Sequence, residues 1–515
     1  MVQGTGSGVG KSFLAAALCR LFARAGYRVA PFKSQNMALN AAVTPEGGEI
    51  GRAQAAQAEA AGLEPSVDMN PILLKPESDH RCQVVVHGRA RATVDFAGYE
   101  LMKPALLPLV VESLERLRGA YDLVVIEGAG SPAEINLQAG EIVNMTIARL
   151  AEAPVLLVGD IDRGGIFAAF VGTLALLDAP DRARIAGFVV NKFRGDRGLL
   201  TPGLEMLMAR TGVPVLGVVP YLAERLVPAE DSLDLAELAR AGEAASAVAG
   251  GSSGPVIEVA VVRLPRISNF DDFEPLAAEP RVRLRLAGAP GDLGSADLIV
   301  LPGSKSTIAD LQWLEASGVG ASIRSAAAAG RPVLGICGGY QMLGAAIHDP
   351  EHVESPLGTV TGLGLLPVVT TFTRDKRTVR VRARVTGEAP LFGAAAGELV
   401  AYEIHAGRTR GAGDQAPPAP PFTVTERAGG AVAEPDGASD PTGRIVGTYL
   451  HGLFENTRLR RALLESLAAW SGKPGGSWGL SAGPRARYDR LAEVVGASLD
   501  ISTVSKLVGL GFPKA

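Results

Sequence analysis

A cysteine held between glycines, Gly335-Ile336-Cys337-Gly338-Gly339, follows the apolar run Pro332-Val333-Leu334. A short buried strand turning sharply into a helix at a glycine-flanked nucleophile is a nucleophile elbow, here Gly-x-Cys-x-Gly in place of Gly-x-Ser-x-Gly. The helix that follows would place the sulfur at a helix N-terminus, which favours the thiolate; a buried packing cysteine is the alternative. A nucleophilic thiol needs a base to accept its proton. Among six histidines, His451 in Gly447-Thr448-Tyr449-Leu450-His451-Gly452 is the expected base, and His405 in Tyr402-Glu403-Ile404-His405 is its competitor. Leu301-Pro302-Gly303-Ser304-Lys305-Ser306-Thr307 follows another apolar run. Amides at Gly303 and Gly338 could form an oxyanion hole there, an ordinary capped strand-to-helix turn being the rival reading.

At the opposite end stands Gly4-Thr5-Gly6-Ser7-Gly8-Val9-Gly10-Lys11-Ser12, a phosphate-binding loop. Amides at Gly8 and Gly10 would cradle the phosphates of ATP, Lys11 adds a point charge, and the Ser12 hydroxyl can ligate magnesium (Mg2+). Thr5 occupies the usual place of the first glycine, so the spacing is Gly-x5-Gly-Lys-Ser, a longer form resembling the loop of dethiobiotin synthetase. Only Met1-Val2-Gln3 precede it, so the strand feeding the loop is expected to be unusually short, or the natural start to lie upstream of Met1. Glu127 ends the run Val124-Val125-Ile126; a carboxylate at the C-terminal edge of a parallel strand sits where nucleotide sites form, and could share the magnesium with Ser12. Asp160 and Asp162 follow the next run and read either as site acids or as helix caps. Asn191, after Val189-Val190, lies where P-loop proteins commonly read the base, a turn-forming asparagine being the alternative. A thiol nucleophile and an ATP site in one chain point to chemistry that takes ammonia from glutamine and uses ATP to attach it to a carboxylate.

The elements that must position these groups are α/β. A chain of 515 residues predicts two or three domains. Leu123 to Ile126, Val155 to Val158, Ile185 to Val190 and Val215 to Val219 are continuous apolar runs, which mark strands of a parallel sheet covered on both faces. Phe13 to Ala25 predicts a helix ending at Gly26. A second α/β unit takes its strands from Val256 to Val262, Leu298 to Leu301 and Pro332 to Ile336, with Val379 to Val385 beyond. Gly411 to Pro421 and Gly429 to Gly443 read as loops. The expected division is 1–235, a linker at 236–255 rich in Gly, Ala and Ser, a domain at 256–460 and a helical extension at 461–515. A net charge of −4 argues against a dominant nucleic-acid surface, and three cysteines form no disulfide framework, which fits a reducing cytoplasm. With no run long enough to span a bilayer, the expected protein is soluble and cytoplasmic, has no membrane or nucleic-acid partner, and is compatible with a homo-oligomer.

Several stretches together resemble the cobyric acid synthase family, the glutamine-dependent amidases of late cobalamin biosynthesis. They are Pro31-Phe32-Lys33-Ser34-Gln35-Asn36-Met37-Ala38-Leu39-Asn40, Met69-Asn70-Pro71-Ile72-Leu73-Leu74-Lys75-Pro76, Ile126-Glu127-Gly128-Ala129-Gly130-Ser131-Pro132-Ala133-Glu134-Ile135-Asn136-Leu137, Asp162-Arg163-Gly164-Gly165-Ile166-Phe167, Asn191-Lys192-Phe193-Arg194-Gly195-Asp196 and Arg263-Leu264-Pro265-Arg266-Ile267-Ser268-Asn269-Phe270, with the elbow and Tyr449 to Phe454. The resemblance implies an N-terminal P-loop amidoligase domain like dethiobiotin synthetase and a C-terminal class I-like glutamine amidotransferase domain. It implies ATP, Mg2+ and glutamine as reactants and a corrinoid substrate, adenosylcobyrinic acid a,c-diamide, amidated at its b, d, e and g carboxylates. Residue by residue, it makes Cys337 the nucleophile, His451 the base, and Lys11, Ser12 and Glu127 the ATP–magnesium site. Asn191 falls near the adenine; Lys33, with Ser34, Gln35 and Asn36, falls at the γ-phosphate and activated carboxylate. Two departures matter. Class I glutaminases carry a Glu two residues after the base, where this chain has Leu453, which predicts a less well-oriented His451. Many members also have an acidic residue where Gly8 stands. The sister family that amidates the a and c carboxylates, and a P-loop switch ATPase, are the alternatives; the latter carries a lysine where this chain has Gly6.

Overall fold

The computed structural model describes residues 1–138, 140–228, 256–386, 389–393, 395, 397–413, 418–478 and 483–512. The chain divides into two compact units, one formed by Met1–Ala38, Glu49–Pro228 and Ala482–Ala515, the other by Leu39–Gly48 and Ala229–Ser481. The linker read at 236–255 lies outside the described residues.

In the first unit the apolar runs are strands, all parallel. Val29–Phe32 pairs with Leu123–Ile126, and Glu127 bridges to Val2. Val2–Gly4, Val155–Asp160, Ile185–Phe193 and Val215–Pro220 then follow in order. The strand feeding the phosphate loop is thus only Val2–Gly4, yet it has strand neighbours on both sides. Burial of whole Val/Leu runs on both faces is what selects the parallel arrangement. A helix over Lys11–Arg24 leaves the loop, and a smaller sheet orders Gln35–Met37, Ile72–Pro76, Arg81–Val86 and Arg89–Asp95.

The stretch 461–515, expected as one extension, is shared between the units. Thr457–Trp470 is an amphipathic helix whose Leu459, Leu463, Leu464 and Leu467 join the core of the second unit. Pro484–Ser498 and Ile501–Leu507 pack on the first instead. There Leu491, Val495 and Val504 share a core with Leu14, Leu18 and Phe22, and Arg20 pairs with Asp489 at 2.7 Å. The apolar periodicity of these helices is ordinary; only the surface they cover distinguishes them. In the other direction, Leu39–Gly48 belongs with the second unit, where the Asn40 carboxamide oxygen accepts the Phe270 N–H at 3.1 Å.

The second unit is built on a six-stranded sheet ordered Val282–Ala287, Ile257–Val262, Leu298–Leu301, Val333–Ile336, Ile445–Thr448 and Ala438–Ser439, parallel except at the last pair. Beside it lies a mostly antiparallel sheet whose long members are Val368–Val385 and Leu399–Gly411. Gly429 to Gly443, expected as loop, carries the strands Gly430–Asp436 and Ala438–Ser439, because pairing with Phe422–Arg427 and Ile445–Thr448 overrides the local preference of its Gly and Pro residues. Among the described residues no helix is long and apolar enough to cross a membrane.

Candidate active sites

Strand Val333–Ile336 delivers Cys337 into the helix Gly338–Leu343. Cys337 has φ 52° and ψ −109°, a backbone state that a non-glycine residue holds only where its surroundings impose it. The glycines are there for close approach: a Cβ on Gly339 would lie 2.0 Å from the Leu301 carbonyl oxygen. The Cys337 N–H is spent on the sheet, donating to the Thr448 carbonyl at 2.8 Å. Gly338 opens the helix, so its N–H has no acceptor within that helix. Gly303–Ser304 forms a short antiparallel pair with Ile267–Ser268. A Cβ on Gly303 would stand 3.1 Å from His451 Cε1, and one on Gly338 2.9 Å from the Ser304 nitrogen. The structure therefore gathers Cys337, His451, Gly303 and Gly338 at one place.

His451 is 2% exposed and fixed on three sides. Its backbone exchanges hydrogen bonds with Tyr402 at 2.9 and 3.2 Å, and its ring stacks on that tyrosine at 5.2 Å. Nδ1 lies 2.7 Å from Asp272 Oδ2, while Oδ1 of the same carboxylate accepts the Gly452 N–H at 2.8 Å. Burial alone would lower the imidazole pKa, but the Asp272 carboxylate and the Cys337 sulfur outweigh it and push it up to about 10. The expectation of a loosely oriented base is thereby corrected. Leu453, in the place of the usual glutamate, is buried in the apolar core, and the orienting carboxylate comes from a different segment, the turn Phe270–Phe273. Sequence reasoning missed Asp272; its only signal was adjacency to the Arg263 to Phe270 stretch.

His405, the competing base, is committed elsewhere. Nδ1 lies 2.8 Å from the Gly407 carbonyl and the ring stacks on Tyr449 at 3.8 Å. Burial pushes its pKa down to about 3, so it is neutral at physiological pH. It lines a cavity of about 830 Å³ together with Glu403, Arg427, Asp436 and Tyr449.

In the first unit the phosphate loop, Glu127 and Lys33 converge at the carboxyl ends of the parallel strands, where an α/β sheet opens its crevice. Lys11 Nζ donates to the carbonyls of Gly6 at 2.8 Å and Gly130 at 3.1 Å. Glu127, 1% exposed, accepts from Ser12 Oγ at 2.8 Å, Lys33 Nζ at 2.9 Å and Gln57 Nε2 at 2.5 Å. Gln57, on the helix Arg52–Ala61, was not foreseen from sequence. Asn191 sits under the loop: Nδ2 donates to the Val9 carbonyl at 2.9 Å, and a Cβ on Gly10 (φ 102°) would lie 2.0 Å from that nitrogen. Gly8 has φ 69°, the left-handed region, which glycine adopts without steric cost. Asp160 pairs with Lys192 at 3.0 Å and Arg163 at 3.5 Å, and Asp162 with Arg194 at 3.0 Å.

Beside Lys33 the side chains of the next three residues are engaged within the unit. Ser34 Oγ donates to the Ile142 carbonyl at 2.7 Å, the Tyr99 hydroxyl donates to Gln35, and Asn36 Nδ2 donates to Gln54 Oε1 at 2.9 Å. Ser12 and Glu127 are both hard oxygen donors and lie in mutual contact, a set that suits magnesium.

Residues 1–231 match the CobQ/CobB/MinD/ParA nucleotide binding domain. Residues 258–459 match the CobB/CobQ-like glutamine amidotransferase domain. Whole-chain similarity extends further. A cobyric acid synthase of Sorangium cellulosum is 54% identical over 99% of this chain and 98% of its own length. Those of Pelotomaculum thermopropionicum and Dehalococcoides mccartyi (strain CBDB1) are 51% and 48% identical, over 100% and 99% of this chain and 97% and 99% of their own. With a thiol–imidazole–carboxylate group in one unit, a phosphate loop in the other and these relatives along the whole length, the chain belongs to the cobyric acid synthase family of glutamine-dependent amidating ligases.

Proposed function

We propose that the protein amidates the b, d, e and g carboxylates of adenosylcobyrinic acid a,c-diamide, using glutamine as ammonia donor and ATP to activate each carboxylate, and so yields adenosylcobyric acid. The observation that carries this reading is full-length similarity to cobyric acid synthases in a chain that keeps both the Cys337–His451–Asp272 group and the Lys11–Ser12–Glu127–Lys33 group.

Cys337 sulfur, as thiolate paired with the His451 imidazolium, attacks the glutamine carboxamide carbon; the C–N bond breaks as His451 gives its proton to the departing ammonia. The amides of Gly303 and Gly338 hold the oxyanion, and water then releases glutamate from the thioester. At the ATP site a substrate carboxylate oxygen takes the γ-phosphoryl group, ADP leaves, and ammonia displaces phosphate from the acyl phosphate to leave the amide. Activation is required because a carboxylate at neutral pH is a poor electrophile. Lys11 and Lys33 supply positive charge where negative charge accumulates on the transferring group. Gly8 and Gly10 shape the loop and Asn191 braces it from beneath, and Ser34, Gln35 and Asn36 directly follow Lys33 in the chain. Ser12 and Glu127 are the residues that would hold magnesium, which neutralises phosphate charge when bound.

The test follows the corrinoid by mass spectrometry with ATP, magnesium and either glutamine or ammonium salt. Four successive hydroxyl-to-amine exchanges are expected with both donors, and in Cys337→Ser with ammonium alone. An unchanged corrinoid despite glutamine hydrolysis would discard the substrate, and equal glutamine-driven turnover in Cys337→Ser would discard the nucleophile.

A further inference from the structure

We propose that Asp310 is a positioning residue for glutamine hydrolysis: its buried carboxylate ties the Gly303–Ser304 strand to the Arg266–Ser268 segment, and so sets the oxyanion amides against Cys337. The proposal rests on the glutaminase reading above. Asp310 lies in the first turn of the helix Thr307–Ala316, and its side chain is 1% exposed. The two donors it binds belong to other segments. Ser304 Oγ donates to Oδ2 at 2.7 Å, and the Arg266 N–H points at both oxygens, at 3.2 and 3.3 Å. Ser304 Oγ in turn accepts the Ser306 N–H at 2.9 Å, and the Lys305 N–H donates to the Arg266 carbonyl at 2.9 Å. One carboxylate thus fastens both strands of the Ile267–Ser268/Gly303–Ser304 pair where they meet the helix.

Both strands lead into the thiol site. On one, Gly303 faces His451 Cε1, and the Ser304 nitrogen lies so near Gly338 that a Cβ there would come within 2.9 Å of it. Any shift of Ser304 is therefore felt at the elbow's own amide. On the other, Ser268 is followed by Asn269 in the left-handed region and then by the turn that carries Asp272. Burial raises the Asp310 pKa to about 6, so the two donors hold an anion in a place that otherwise disfavours one. A helix cap alone would need neither this depth nor partners from two other segments.

Asparagine at 310 keeps the shape but removes the charge and one acceptor oxygen, so the Ser304 and Arg266 donors must share one neutral oxygen while an NH2 group takes the other place. Misplacing reacting groups by about 1 Å costs on the order of 100-fold. The experiment compares wild type, Asp310→Asn, Ser304→Ala and the double variant for glutamine hydrolysis and for alkylation of Cys337 by iodoacetamide, which forms no oxyanion. Expected for Asp310→Asn are a kcat lower by about 10- to 100-fold, a KM within about 3-fold, and an alkylation rate within about 3-fold of wild type. The double variant should fall no further than Asp310→Asn, because the two substitutions break a shared bond. The proposal is overturned if kcat stays within about 3-fold, if only KM changes, or if alkylation falls in step with turnover. Should Asp310→Asn fail to fold, Ser304→Ala carries the same expectation at about 10-fold, and unchanged turnover in it overturns the proposal. A wild-type protein whose glutaminase activity survives Cys337→Ser would overturn the nucleophile reading and this proposal with it.

Discussion

Replacing Asp272 by asparagine keeps the side-chain shape and removes one charge, which isolates what the carboxylate does. Asp272 accepts from His451 Nδ1 at 2.7 Å and from the Gly452 N–H at 2.8 Å. A hydrogen bond to a buried charged acceptor is worth roughly 1.5–3 kcal/mol, so the pair is worth roughly 3–6 kcal/mol. Asparagine can still accept from Gly452, but its NH2 then faces Nδ1 and selects the tautomer with hydrogen on Nε2, which cannot accept a proton from Cys337. The same replacement costs about 10,000-fold in serine proteases. For a thiol nucleophile, which is less dependent on its base, we expect kcat/KM for glutamine at pH 7.5 to drop about 1,000-fold, roughly 4 kcal/mol and inside the bracket from the two bonds. With Asp272 the imidazolium persists to about pH 10; without it, burial lowers the imidazole pKa against the Cys337 sulfur alone. Alkylation of Cys337 by iodoacetamide at pH 7 should therefore be slower in the variant than in wild type. Glutamine hydrolysis and alkylation measured from pH 6 to 10 test both consequences. A variant that hydrolyses glutamine within about 10-fold of wild type would refute the argument that this carboxylate orients the base.

Glu127→Gln removes the anion in contact with the buried Lys33 and should lower stability by about 3–5 kcal/mol in urea denaturation, while Lys33→Met/Glu127→Leu recovers most of that without recovering ATP-dependent turnover. Two buried groups should bend stability with pH in opposite directions. The native His405 stays neutral to about pH 3 while the unfolded chain protonates below about 6.5, so stability is lost as pH falls through that window, by at most about 1.4 kcal/mol per unit; His405→Phe should therefore gain on wild type as urea denaturation is taken from pH 6.5 to 4.5. Asp436, buried, is held protonated to about pH 7 while the unfolded chain ionises above about 3.9, so its cost grows as pH rises; Asp436→Asn should gain on wild type from pH 4.5 to 6.5, and a gain in the other direction for either variant would contradict these assignments.

What the sequence made legible follows from how local each signal is. A Val/Leu run buried on both faces announces its own strand, as Leu123–Ile126 and Val155–Asp160 do, since nothing outside the run is needed to explain it. The elbow and the phosphate loop are equally local, each a backbone shape that only glycine tolerates at fixed offsets, and both lie where their spacing put them. Gly430–Asp436 gave no such sign, because an edge strand rich in Gly and Ala is stabilised by its partner rather than by its own residues. The helices Thr457–Trp470 and Pro484–Ser498 were legible as helices but not as belonging to different units, since an apolar stripe records that it is covered and not by what. Asp272 is the furthest case. An imidazole needs a carboxylate within hydrogen-bonding distance of one ring nitrogen, and chemistry places no condition on where in the chain that carboxylate lies. Here the acid and base are 179 residues apart: His451 follows the sheet strand Ile445–Thr448, while Asp272 follows Ile267–Ser268, which pairs with Gly303–Ser304 beside the elbow. A rule that looks for the acid two residues after the histidine encodes one way of meeting that demand, and its failure at Leu453 removes the rule's residue without removing the demand.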